Sequence, residues 1–192
     1  MKGALTNFKA KGTVYQSAGT LIINDYKYLQ ERLPSYLSIV ISRLEKVLDD
    51  TPQGLTTLQL YEINEKIEFN KIKVYKEVIE NYGNYGAIVD KIYETLDNEK
   101  PNSKSRFLKS INNKYIRQVS DLVAQNPNQD KHSLICKYAD IIITNIIDSL
   151  SIDYKRSSNF EQIMEEDLQA CLVIIVCKAF IDCKILENPN KG

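Results

Sequence analysis

The apolar positions of this chain fall into two regimes that meet near Pro34. Before it, Val14 and the run Leu21-Ile22-Ile23 each follow a glycine and a threonine, Gly12-Thr13 and Gly19-Thr20, in a short approximate repeat. β-Forming residues behind a glycine read as short strands entered through a turn. Gly3, three lysines (Lys2, Lys9, Lys11) and the lack of any acid before Asp25 set residues 1–24 apart as a Gly/Lys-rich, β-like arm. Two such strands cannot stand alone in water, so the arm needs a surface to lie on. That surface is either its own helical body or a neighbouring chain.

Past Pro34 the period becomes helical. Leu33, Tyr36, Leu37, Val40, Ile41, Leu44, Val47 and Leu48 make one continuous apolar stripe at helical spacing. Pro34 suits the first helical position, and Pro52 with Gly54 closes the segment. A second helix is read over Leu58 to Ile67. Asn70 reads as the N-cap of a third, with Tyr75, Val78, Ile79 and Tyr82 on one face and Gly83 at its end. A fourth carries Ile88, Val89, Ile92, Tyr93 and Leu96 and stops before Pro101, in the linker 98–103.

Three longer helices follow. The fifth is expected from Ser103 to Gln125, ended by Asn126-Pro127, and the sixth from Asp130 to Leu150. The sixth is apolar around much of its wheel, leaving a polar strip at Lys137, Asp140, Thr144 and Asp148. The seventh, Glu161 to Leu186, holds the run Leu172-Val173-Ile174-Ile175-Val176. That run could be a buried strand, but the acidic sequence before it and Lys178 and Lys184 after it favour helix. Apolar on nearly every side, such a helix is central in a bundle or buried in a subunit interface. The expected fold is therefore all-α, a bundle of about seven helices over residues 25–192 behind the β-like arm.

Composition narrows the function classes. The 192 residues are 43% hydrophobic and 26% charged, enough to bury a core and too apolar for overall disorder. Lys plus Arg and Asp plus Glu both number 25, which removes the bulk positive field of a general nucleic-acid coat. No apolar run approaches the ~18 residues of a membrane span and no signal peptide opens the sequence, so a cytoplasmic chain is expected.

Candidate chemistry is sparse. Cys171, Cys177 and Cys183 are six residues apart, so on one helix they point in three directions and cannot converge on a metal. With Cys136 they read as small reduced core residues. His132 is the only histidine and reads as an exposed polar side chain near a helix start; no Ser-His-Asp or Cys-His system can be assembled without it. Asn81 to Gly86 has two glycines but lacks the Gly-Lys-Ser/Thr of a phosphate-cradling loop, and reads as a helix cap and turn. Three Asp-x-Lys triplets, at Asp25, Asp153 and Asp182, are about what chance supplies in so charged a chain. Glu161, Glu165, Glu166 and Asp167 could seat a hard cation, but read better as an acidic first turn complementing the helix dipole.

One charge feature rises above this background. Between Lys100 and Ser120 there are six bases and no acid. On the fifth helix Arg106, Lys109, Lys114 and Arg117 fall opposite the apolar face of Leu108, Ile111, Tyr115, Val119 and Leu122. The four are either a solvated face or a contact for phosphate or an acidic partner. An acidic counterpart exists in Glu45, Asp49, Asp50, Glu62, Glu65 and Glu68, a bipolar layout suited to docking between protein chains. No aromatic interleaves the basic face for base stacking.

The stretches from Lys66 to Tyr82, Tyr85 to Tyr93 and Phe107 to Ile116 resemble the helical C-terminal domains of bacterial ABC-three-component conflict systems, a group overlapping Lamassu-type antiphage defence. The resemblance covers about residues 60 to 186. It implies a non-catalytic module without cofactor or metal that binds an SMC-like ABC ATPase or a companion effector subunit, within a homo- or hetero-oligomer. The longer members carry an effector where this chain has only its Gly-rich arm, which favours a small assembly subunit. The alternative is a nucleic-acid-binding regulator working through the basic face.

Overall fold

The computed structural model of the chain describes residues 15–17, 20–22, 32–48 and 57–189. Among them are seven α-helices: α1 (Tyr36–Glu45), α2 (Thr57–Phe69), α3 (Lys76–Tyr82), α4 (Gly86–Glu99), α5 (Ser103–Gln125), α6 (Lys131–Arg156) and α7 (Glu165–Ile181). A 3-10 turn, Gly83–Tyr85, joins α3 to α4. The all-α bundle read from the spacing is the observed architecture. Two strands, β1 (Tyr15–Ser17) and β2 (Thr20–Ile22), pair antiparallel with Tyr15 opposite Ile22. The chain divides into two units after Arg32. The boundary expected at residue 24, and the surface on which the arm rests, lie outside the described residues.

α7 is the centre of the helical unit. Leu168, Cys171, Leu172, Ile174, Ile175, Val176, Cys177, Ala179 and Phe180 are all buried on it. α1, α3, α4, α6 and the 3-10 turn pack around it. Each large aliphatic removed from water there contributes about 1.5–3 kcal/mol. The apolar run is thus helix rather than strand, and the chain's own helices cover it. The subunit-interface reading of this helix gives way to the core reading. α5 and α6 lie antiparallel: Asn145 reaches Gln118 at 3.3 Å, while Ser149 and Asp153 both meet Lys114.

Several helix ends differ from expectation, because long-range partners replace local signals. The N-cap of α1 is Ser35, whose hydroxyl accepts from the Leu37 amide at 3.2 Å, so Pro34 stands before the helix. Asn70 does not cap α3. The segment entering that helix is held from α6 instead, the Asp140 carboxylate accepting from the amides of Lys73, Val74 and Tyr75 at 3.1–3.2 Å. α6 runs to Arg156, beyond the expected Leu150. α7 starts later and stops sooner than expected, because Glu161 precedes it and Cys183 has a φ of 54°.

α2 and α7 end alike. Lys71 and Cys183, both at φ 54°, occupy the left-handed position. After α2 the amides of Lys71 and Ile72 donate to the Glu68 and Ile67 carbonyls. After α7 those of Cys183 and Lys184 donate to Phe180 and Ala179. This is the paired-bond helix stop that usually places glycine where these two side chains stand. Beyond α7 the chain turns back as a strap, with Ile185 and Leu186 buried.

Two asparagines fasten the unit at its ends. Asn159 accepts from the Ser35 amide at 2.7 Å and donates to the Ser35 carbonyl at 3.0 Å. Asn70, fully buried, accepts from the Glu187 amide at 3.0 Å and donates to its carbonyl at 2.8 Å, with a further bond to the Lys66 carbonyl. Glu187 also accepts from Lys131 at 2.9 Å and Tyr115 at 3.1 Å. Replacing Asn70 by Ala strands two backbone groups of the strap. The expected loss is about 2–3 kcal/mol by urea denaturation, with faster amide exchange at 185–187.

Candidate functional site

α5 positions the basic face. Phe107, Leu108, Ile111, Tyr115 and Val119 turn into the core, which forces the positions between them outward. Asn102, at φ 67°, offers the helix no side-chain cap; the Asp97 carboxylate of α4 accepts from the Lys104 amide at 2.7 Å instead. That contact joins the end of α4 to the start of α5 and fixes the first turn on which Arg106 sits.

The structure divides the four expected site residues. Arg106, Lys109 and Arg117 are exposed, and none forms an ion pair among the described residues. Lys114 is committed to α6: its ammonium pairs with Asp153 at 2.5 Å and donates to Ser149 at 2.8 Å. Asp153 thus neutralises the charge of Lys114 within the fold. Sequence spacing puts all four on one strip but cannot show which one a neighbouring helix captures. The face is also less free of aromatics than the wheel suggests. Tyr36 of α1 stands at its margin, and hydrogen bonds with Ser103, then Lys100 and Arg106, hold its hydroxyl below the ordinary phenol value. The Lys100 ammonium lies 5.5 Å from the Tyr36 ring centroid.

Beside this strip is a groove of about 550 Å³ between the end of α4, the first half of α5 and the strap after α7. Lys104, Lys109 and Lys184 border it, with Leu108 at its wall. Lys184 had no sequence signal as a site residue: it belongs to a chance-level Asp-x-Lys triplet and reaches α5 only because the strap turns back.

Cys171 and Cys177 are buried, and burial pushes both thiols up to about 12. Cys183 stands beyond α7, not on it as the even spacing implied. His132 is half-buried rather than exposed, its ring 4.4 Å from that of Phe69. Cys136 lies 3.5 Å from His132 Nε2, a pairing not foreseen from sequence. Its Sγ donates to the Phe69 carbonyl at 3.3 Å, and burial raises its pKa, so the thiol form is favoured over a nucleophilic thiolate. Glu165, Glu166 and Asp167 occupy the first turn of α7, while Glu161 accepts from Ser42 at 2.7 Å. Of the Asp-x-Lys triplets, Asp153 pairs with Lys114 and Asp182 with Lys178; Asp25 lies outside the described residues, as do Asp49 and Asp50. No helix among the described residues is long and apolar enough to cross a membrane.

No curated protein and no solved structure matches the chain. A family model does, over residues 35–187, whose first and last positions are the two that Asn159 and Asn70 fasten. It extends the resemblance back from about residue 60 to include α1, which packs on the central helix. With this match over most of its length, the chain belongs to the C-terminal domain 10 family of the ABC-three component systems, which are antiphage conflict systems.

Proposed function

We propose that the chain is a non-catalytic assembly subunit, docking through the exposed bases of α5 on an acidic surface of an SMC-like ABC ATPase or of the effector subunit of its system. The observation that carries this reading is the family match over residues 35–187. The three bases of α5 that have no ion pair among the described residues support it, because a strip of one sign at a rim steers and registers a partner. Asp153 already neutralises Lys114, so the proposed contact consists of Arg106, Lys109 and Arg117. The subunit acts in the cytoplasm within a homo- or hetero-oligomer, and chemistry is left to its partners.

The test is co-purification with the ATPase and effector encoded beside it. Reversing Lys109 and Arg117 to Glu should break co-purification and leave helicity and melting temperature unchanged, since both side chains are exposed. Retained association would overturn the docking face. The same variant examines the nucleic-acid alternative. Three phosphate contacts would give the lone chain a log–log salt slope of about −2.7 on duplex DNA, lost on reversal. The docking reading expects no DNA binding by the lone chain at physiological salt.

A further inference from the structure

We infer that the groove between α4, α5 and the C-terminal strap is a binding site for a phosphorylated small molecule of nucleotide size, its phosphate held by Lys104, Lys109 and Lys184. This goes beyond the docking role and does not depend on it. The lining is three lysines to a single carboxylate, Asp97, in a chain whose net charge is zero. Asp97 already accepts from the Lys104 amide at 2.7 Å, so part of its acceptor capacity is used within the fold. The volume of about 550 Å³ falls within the range of small-molecule pockets and is more than inorganic phosphate alone would fill.

Each lysine is placed by a different device. Lys109 stands on α5, next to the buried Leu108, exposed and without an ion pair among the described residues. The backbone of Lys184 is fixed on both sides: its amide donates to Ala179 at 2.8 Å, and its carbonyl accepts from Asn112 Nδ2 at 2.6 Å. The strap thus delivers this side chain to α5 without spending its ammonium. The Lys104 ammonium lies 3.3 Å from Asp90 and 5.5 Å from the Tyr93 ring centroid. Asp90 has a second and closer cation, Lys178 at 3.0 Å. Lys104 can therefore turn to a ligand without leaving Asp90 unpaired. Three lysines lining one concavity suit the several oxygens of a phosphate once Lys104 turns from Asp90, and Leu108 and Cys183 supply an apolar wall for the rest of the ligand.

Calorimetric titration of the full chain with ATP, inorganic pyrophosphate and a short duplex oligonucleotide, without added metal, tests the site. ATP and pyrophosphate should bind, with ATP the tighter. Lys184→Glu should weaken ATP about tenfold to a hundredfold, as should Lys109→Glu, whose exposed side chain makes its folding secure. Arg117→Glu, outside the groove, should leave ATP affinity unchanged even where it breaks docking. Failure of the wild-type chain to bind ATP, binding indifferent to both lysine reversals, or binding of the duplex alone would each overturn the inference.

Discussion

Replacing Ile175 by Asp abolishes the helical unit. Ile175 is fully buried on α7, the helix on which α1, α3, α4 and α6 converge. The substitution removes about 2–3 kcal/mol of burial and places a carboxylate at a position that is fully buried. Together these costs are on the order of the 5–15 kcal/mol that holds a domain folded. Far-ultraviolet circular dichroism should show loss of helix, or the chain should be recovered only as aggregate. Ile141→Asp is the control: this isoleucine of α6 is 54% exposed, and its variant should melt within about 0.5 kcal/mol of wild type. A folded Ile175→Asp chain with altered assembly would return α7 to the interface reading that its burial displaces.

The second large effect comes from Lys178. Only 8% of its side chain is exposed, and it pairs with Asp182 at 2.6 Å and Asp90 at 3.0 Å. Exchanging it for Met keeps the aliphatic packing but leaves Asp182 without its cation. A fully buried pair broken on one side costs about 3–5 kcal/mol. Here Asp90 is 41% exposed and keeps Lys104, so a loss of about 2–3 kcal/mol is expected. Adding Asp182→Asn should recover part of it, because the stranded charge is then gone. Burial pushes the Lys178 ammonium down, but the hydrogen bonds to Asp182 and Asp90 more than reverse this and hold it above its ordinary 10.5. A cation whose pKa rises on folding stabilises fully below its unfolded value, and that contribution is lost as pH climbs through the folded one. The stability gap between wild type and Lys178→Met should therefore be flat through neutral pH and narrow above about pH 10.5. A gap that instead narrowed toward acid, from pH 7 to 5, would contradict this assignment.

Features governed by periodicity were legible in the sequence, and features governed by distant partners were not. The stripe from Leu37 to Leu44 and the apolar run around Ile175 fix helices because burial rewards that spacing wherever the neighbours stand. Asn70 misled because a polar residue before an apolar segment is a good local cap signal, yet its amide is spent on Glu187, 117 residues away. Asp140, which holds the segment entering α3, lies 65 residues from Tyr75 and leaves no local trace. The ends of α2 and α7 were obscure because Lys71 and Cys183 stand where glycine would have marked the stop. Spacing marks the basic strip but not its tertiary contacts: Lys114 pairs with Asp153 of α6, and the strap brings Lys184 to the groove.

The two asparagine clasps also bear on mechanics. Tension entering at Leu33 meets first its carbonyl's bond from the Ser158 amide and then Ser35, where Asn159 offers two bonds across a separation of 124 residues; tension on the far side meets the Asn188 bond to Cys183 and then Glu187, held by Asn70. The pull is thus carried into the loop after α6 and the end of α2, not into the terminal turn of α1 or α7. Helix ends ordinarily peel one hydrogen bond at a time, but each clasp sets two bonds from one side chain against the pull. Pulling on either end should therefore open both bonds of a clasp before the helices beyond it are loaded.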